Sequence, residues 1–300
     1  MKILNIGSLN IDYVYSVDHA VRPGETISAS NRQVFCGGKG LNQSIALARA
    51  GANVYHAGKI GRDGLFLREK LAENGVNVDY TRIQEGISSG HAIIQVDTKG
   101  QNCIVIYGGA NLSITENDID DILKDFHAGD ILLLQNEVSN VEYAIEKAHE
   151  KGMKIALNPS PIGNLASSDK FKYVDWFILN EVEGFEITEE KTGKEICVKL
   201  LERFPDSKVV LTLGKQGCIY YDGKNFYEHG IYDVKVVDTT AAGDTFTGYF
   251  LTCIMENMEI EKALTLASKA SSIAVSRAGA SDSIPFRDEV EKADFLPVGR

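Results

Sequence analysis

The run Asp238-Thr239-Thr240-Ala241-Ala242-Gly243-Asp244-Thr245-Phe246 sets one carboxylate directly after three residues with almost no side chain. Downstream, Phe246, Tyr249, Phe250, Cys253 and Ile254 recur at the i, i+3, i+4, i+7, i+8 spacing of a half-buried helix. Upstream, Tyr232, Val234, Val236 and Val237 predict a strand end or edge. Ala241, Ala242 and Gly243 therefore open the helix, where backbone N–H groups lack intrahelical acceptors and the macrodipole is positive. Such a terminus binds anions, and the missing side chains let a phosphate come close. Asp244 then stands beside the bound anion. Repulsion disfavours an acid there unless it takes a proton from an attacking hydroxyl, which is phosphoryl-transfer chemistry. Capping of its own helix is the plain structural alternative for Asp244.

A second run, Gly37-Gly38-Lys39-Gly40-Leu41-Asn42-Gln43-Ser44, opens a helix that reaches Ala50, with Gly51 just past its end. Three glycines allow a tight turn and close approach of backbone to a ligand. Lys39 can reach an anion or a hydroxyl, and Asn42 can both donate and accept, which suits a polyol. The plain alternative is an ordinary turn. Neither a Walker A motif nor a G-x-G-x-x-G occurs in the chain.

The elements that must position these loops alternate along most of the sequence. Strands are expected at 2–6, 54–57, 130–134, 154–157, 176–179, 209–213 and 218–221. Helices are expected near 42–50, 65–73, 115–124, 141–150 and 195–204. This predicts a Rossmann-like α/β fold over 1–300 as a single domain, its mostly parallel sheet flanked by helices and ligands at the strands' carboxyl ends. Residues 13–35 and 88–109 break the alternation with extended patterns and turn signals, and predict a small antiparallel β lid.

The net charge of -11 argues against non-specific binding to nucleic acid or anionic membranes. Five widely spaced cysteines without a C-x-x-C read as reduced thiols. A first segment that starts as a strand rather than a signal peptide, and no apolar run of the ~18 residues a span needs, lead us to expect a soluble cytoplasmic protein.

Gly37-Gly38-Lys39-Gly40-Leu41-Asn42-Gln43, followed by Gly51 and Gly61, resembles the first signature of the ribokinase-like (PfkB) sugar kinases. Asp238-Thr239-Thr240-Ala241-Ala242-Gly243-Asp244 resembles the second, and the likeness runs in order through essentially the whole chain. The first motif and its flanks are most similar to those of the family's ribose kinases. The resemblance implies ATP-dependent phosphorylation of a primary hydroxyl, O5 of D-ribose, with Asp244 as general base and the amides of Ala241, Ala242 and Gly243 as anion hole. It assigns Asn10, Asp12, Gly38, Lys39, Asn42 and Glu137 to the sugar, with Ala92 and Ile104 packing on it from the lid. It assigns Asn180 and Glu183 to magnesium and phosphate, Thr212-Leu213-Gly214-Lys215-Gln216-Gly217 to ATP, and Ser268 to the neighbourhood of the adenine. Asp238, Thr240, Ala274, Arg277, Gly279 and Ser283 match positions around a potassium site, partly through backbone carbonyls. A homodimer clasped through the lid is also implied.

Taken singly, several of these residues have structural readings. Asn10 and Asp12 could form a turn, Glu137 could be a solvated acid at a strand end, and Asn180 with Glu183 could cap a helix. Residues 212–217 could be a turn between strands, and Arg277 on the last helix a surface charge. Departures from the family pattern fall at Tyr249, where Ala or Gly is usual, and at His91, beside Ala92, where an apolar residue is common. Thr240, Ser268 and Ala278 also depart from it. They leave the substrate less determined than the reaction. A nucleoside, deoxyribose or another sugar remains an alternative, as does a non-catalytic sugar sensor, which predicts erosion of Asp244 or Gly243.

Overall fold

The computed structural model describes residues 1–163 and 168–298. Strand β1 (Ile3–Ile6) leads into β2 (Asn10–Ser16), β3 (Asn31–Gly37) and helix α1 (Lys39–Arg49). Then come β4 (Val54–Ile60), α2 (Leu65–Glu73), β5 (Asn77–Ile83), β6 (Gly90–Val96) and β7 (Asn102–Tyr107). The middle of the chain forms α3 (Glu116–Leu123), β8 (Ile131–Gln135), α4 (Val141–Glu150), β9 (Lys154–Asn158), β10 (Trp176–Asn180), α5 (Glu181–Thr188) and α6 (Gly193–Arg203). The last part forms β11 (Lys208–Thr212), β12 (Cys218–Tyr221), β13 (Phe226–His229), α7 (Ala242–Met255), α8 (Ile260–Val275) and α9 (Arg287–Lys292).

Nine strands form one sheet in the order β13-β12-β11-β10-β9-β8-β1-β4-β5. It is parallel from β11 to β5; β12 alone runs against the other strands, so its pairings with β11 and β13 are the antiparallel ones. Alternate strand residues enter opposite cores. Ile3, Leu133, Ile178 and Val210 pack with Leu41 and Ile45 of α1 and Phe246 of α7, whereas Leu4, Leu134, Leu179 and Leu211 pack with Ile119, Ile145 and Leu200. Both faces are covered, so the strands read as apolar runs rather than as alternation. Since β1 lies between β8 and β4, the chain leaves it in both directions, and the crevice for a ligand opens at the carboxyl ends there.

All seven expected strands and all five expected helices are present, with α1 starting three residues earlier than expected. Strands β5 and β13, both at sheet edges, and the short helices α5 and α9 were not anticipated; edge strands bury too little to show a clear apolar pattern. A second, four-stranded sheet, in the order β3-β2-β6-β7, forms where the lid was expected. Its outer pairings are antiparallel as expected, while the central pair, β2 with β6, is parallel.

Two local expectations fail. Residues 234–237 form no strand; Tyr232 alone makes an isolated bridge, to Pro297. Helix α7 is buried along 245–253 rather than on one face. Its threonines fit the core because the hydroxyls of Thr245 and Thr252 donate to the carbonyls of Ala241 and Gly248, both at 2.8 Å. Among the described residues no helix is long and apolar enough to cross a membrane.

Candidate functional site

The polar residues that follow the parallel strands line one edge of the sheet. Ser8 follows β1, Glu137 follows β8, Asn158 and Asn180 end β9 and β10, and Asn180 pairs in register with Thr212 at the end of β11. The start of α1 and the start of α7 close over this edge.

On the α1 side, Glu137 is held at one carboxylate oxygen by the Ser8 hydroxyl and by the Lys39 amide, the latter at 3.2 Å. Burial pushes the Glu137 carboxyl above its ordinary value, although Lys39 opposes this. Asp12 is pushed up to about 7, first by burial and then by Glu137. Burial disfavours the Lys39 charge, yet Asp244, Glu137 and Glu183 outweigh it and leave that ammonium above its ordinary value. Asn10 is buried and accepts from Asn111 at 2.8 Å. A cationic donor, two crowded acids and Asn10 are groups chemically able to hydrogen-bond neutral hydroxyls.

Asp244 sits in the first turn of α7 and does not cap it. The cap position is Ala241, in left-handed backbone (φ 59°) and without a side-chain cap bond. The Asp244 carboxylate instead faces α1, where Gln43 donates to one oxygen at 2.9 Å and Asn42 to the other at 3.0 Å. The amides of Gly243 and Asp244 have no acceptor among the described residues. A Cβ on Gly243 would meet nothing within 4 Å, so protein packing does not explain the glycine. Open space over free amides at a helix start suits an anion.

On the far side, Asn180 and Glu183 do form a capping box, as their structural reading predicts. Asn180 accepts from the amides of Val182 and Glu183, and Glu183 accepts from the Asn180 amide at 3.0 Å. Glu183 is nonetheless among the charges acting on Lys39. The 212–217 loop is closed by a bond from the Leu213 amide to the Gly217 carbonyl at 2.8 Å. Ser268 of α8 is buried against Cys218, just beyond that loop. Asp238 ties its own turn to the segment after α8, accepting from the Thr240 amide and hydroxyl on one oxygen and from the Gly279 amide on the other. Ala274 accepts from the Arg277 amide, and Ser283 donates to Ala280. Arg277 lies past the end of α8 rather than on the last helix, and its guanidinium is paired with Glu289.

In the second sheet, Ala92 stands opposite both Asp12 and Ile106, and Ile104 opposite Ile94, so Ala92 and Ile104 share the face of Asp12. His91 alternates to the other face, packed edge-on against Tyr13 and tilted against Tyr107. It turns away from the acids.

The model of the pfkB family of carbohydrate kinases matches residues 1–287. The chain belongs to that family. It is 35% identical over 297 residues to a ribokinase of Haemophilus influenzae, covering 95% of each chain. Among solved structures, this pfkB carbohydrate kinase is similar to a ribokinase of Cryptococcus neoformans in complex with ADP (32% identity, TM-score 0.86, covering 97% of this chain and 99% of that one). It is also similar to an Arabidopsis thaliana ribokinase complexed with ribose and ATP (30% identity, TM-score 0.86, 97% of each chain).

Sequence reasoning passed over the polar residues beneath this pfkB site. Ser8, Gln43, Asn111, Gln135 and Asn158 all bond to site residues or to one another. Their signal was available: Asn5 interrupts an apolar strand, and Gln135 and Asn158 end two others. In strands covered on both faces, such residues need partners.

Proposed function

We propose that the chain is an ATP-dependent kinase that transfers the γ-phosphoryl group to O5 of D-ribose, giving ribose 5-phosphate. One observation carries this reading: the uncapped start of α7, with open space at Gly243, lies beside a carboxylate turned toward the polyol site of α1.

Asn10, Asp12, Lys39 and Glu137 bind the sugar hydroxyls, with the Gly38 backbone alongside. Asn42 gives its N–H to Asp244, while its oxygen, without a partner among the described residues, is left to accept from the sugar. Ala92 and Ile104 close the ring from the lid. Asp244 accepts the O5 proton as that oxygen bonds to phosphorus, and base assistance of this kind is worth about 10²–10⁴-fold. The amides of Ala241 and Gly243 hold the phosphoryl oxygens, whereas the expected Ala242 donor is engaged by the Thr239 carbonyl at 3.3 Å; such donors contribute roughly 3–4 kcal/mol each. Residues 212–217 and Ser268 receive the nucleotide.

Magnesium, when bound, neutralises charge on the phosphates. Glu183 and Asn180 would hold it, through water, since their cap bonds already engage both side chains. Among the described residues no cluster of His, Cys, Asp or Glu forms a cage, which suits an ion carried mostly by phosphate and water. The tie between Asp238 and Gly279 supports a monovalent-cation site built from the carbonyls of 238–240 and 274–283, with potassium as activator.

We also infer a homodimer through the lid. On the face away from Asp12, Val34, Tyr13, Ile93 and Val105 lie in register across four strands, and Val105 is 66% exposed. Sedimentation of Val105→Asp as monomer against a wild-type dimer would support it. The five free thiols suit a reducing cytoplasm.

The test is ADP release from ATP and magnesium over ribose, deoxyribose, fructose, tagatose and nucleosides, with and without potassium. Ribose dependence stimulated by potassium is expected. Preference for another acceptor would keep the mechanism and replace the substrate; silence on every acceptor would leave a sugar sensor.

A further inference from the structure

Asp244 is pinned by two consecutive residues of α1 that differ in what lies behind them. The side-chain oxygen of Asn42 is buried with no hydrogen-bond partner among the described residues. Gln43 is fully buried, and its amide orientation is forced. The carboxylate of Asp244 can only accept, so the Gln43 NH₂ must face it, at 2.9 Å, and the same nitrogen also reaches Asn158 at 3.1 Å. The Gln43 oxygen therefore points the other way and accepts from Gln135 at 2.6 Å. Gln135 also donates to Asn5 at 3.1 Å. Asn5 in turn donates to the Gly40 carbonyl at 2.8 Å and to the Ser44 hydroxyl at 2.9 Å, and Ser44 lies 2.8 Å from His56 Nδ1.

Gln135, Asn5, Ser44 and His56 are all fully buried. Burial pushes His56 down to about 3, so the network ends in a neutral ring rather than a charge. Two of its members are carried by β8 and β1, neighbouring interior strands of the sheet. Gln43 thus connects a carboxylate on a helix start to fully buried side chains on interior strands of the sheet.

We propose that Gln43 is a positioning residue for Asp244, setting the carboxylate's rotation so that a free lone pair faces the acceptor hydroxyl. This rests on Asp244 being the base. Two donors from one helix fix both oxygens; with Gln43 removed, the carboxylate pivots about its single bond to Asn42. The sugar-binding groups are left in place, so the cost falls on the chemical step.

The test is Gln43→Met, which keeps length and volume and removes both hydrogen-bonding atoms, with Gln43→Asn as a polar variant too short to reach Asp244. Turnover on ribose, the sugar KM and the calorimetric sugar Kd are measured for each variant that melts cooperatively, alongside Asp244→Asn. We expect kcat to fall about 10–100-fold, the scale of a misplaced catalytic group. The sugar Kd should stay within about threefold, the pattern of an interaction that matters in the transition state. A kcat within about twofold of wild type, or Kd weakened as much as kcat, would overturn the proposal. Normal turnover by Asp244→Asn would remove the base assignment itself. Silence of Asp244→Asn with normal turnover by Gln43→Met would remove only the role of Gln43.

Discussion

The Asp12 carboxylate occupies the space in which a Cβ on Gly37 would stand. Strands β2 and β3 pair Asn10 with Gly37 and Asp12 with Phe35, so Asp12 leans diagonally across the glycine toward Glu137. The first glycine of the α1 loop thereby makes room for a side chain on a neighbouring strand.

Gly37→Ala is expected to displace Asp12 and weaken sugar binding about tenfold, equivalent to roughly 1.4 kcal/mol. The ATP KM should be unchanged. Calorimetric titration with sugar checks it; wild-type affinity would mean that Asp12 does not contact the sugar.

Asp12 also makes stability and sugar affinity respond to pH in opposite directions. In the unfolded chain it titrates near about 3.9, whereas burial and Glu137 raise it to about 7 in the fold. Its contribution to stability is present in acid and lost as pH rises through about 7. Sugar hydroxyls donate to the carboxylate form, so ribose affinity should rise over the same interval. Asp12→Asn should flatten the affinity profile and reduce the fall in melting temperature between pH 5 and pH 8, leaving the part due to Glu137, which is also raised. Melting curves and sugar titrations at several pH values check both slopes.

Gly243→Ala separates folding from function. Nothing in the protein lies within 4 Å of the added methyl group, and alanine is favoured in helices by up to about 1 kcal/mol. Stability should hold or rise, while kcat/KM for ATP falls at least about tenfold as the methyl group enters the anion's space. Unchanged kinetics would remove the anion hole.

Tyr249, unusual for the family pattern, has a structural task. It is fully buried, and its hydroxyl donates to the Pro285 carbonyl at 2.9 Å. Arg49 donates to the neighbouring carbonyls of Ser281 and Ile284. Together they pin the segment beside the proposed cation loop. Tyr249→Phe should cost about 1–3 kcal/mol, the penalty of a buried acceptor left unpaired, and Tyr249→Ala about 3–5 kcal/mol. Urea unfolding measures both.

The sequence by itself determined the alternating α/β plan, the two glycine-rich loops and the acid at the start of α7. These are local signals: apolar runs of strand length, periods of 3.6 residues and small residues at helix starts carry their physical reasons within a few positions. Only the tertiary structure decided which groups meet. It seated Asp244 on Asn42 and Gln43, more than 200 positions away in the chain, and made its role as a cap give way to a role across helices. Strand register turned His91 away from Asp12 and brought Ala92 opposite it. The row of Asn5, Gln135 and Asn158 acquired meaning when three parallel strands and α1 placed these residues in one layer. A buried amide must find a partner, and which partner it finds depends on packing that no local pattern encodes.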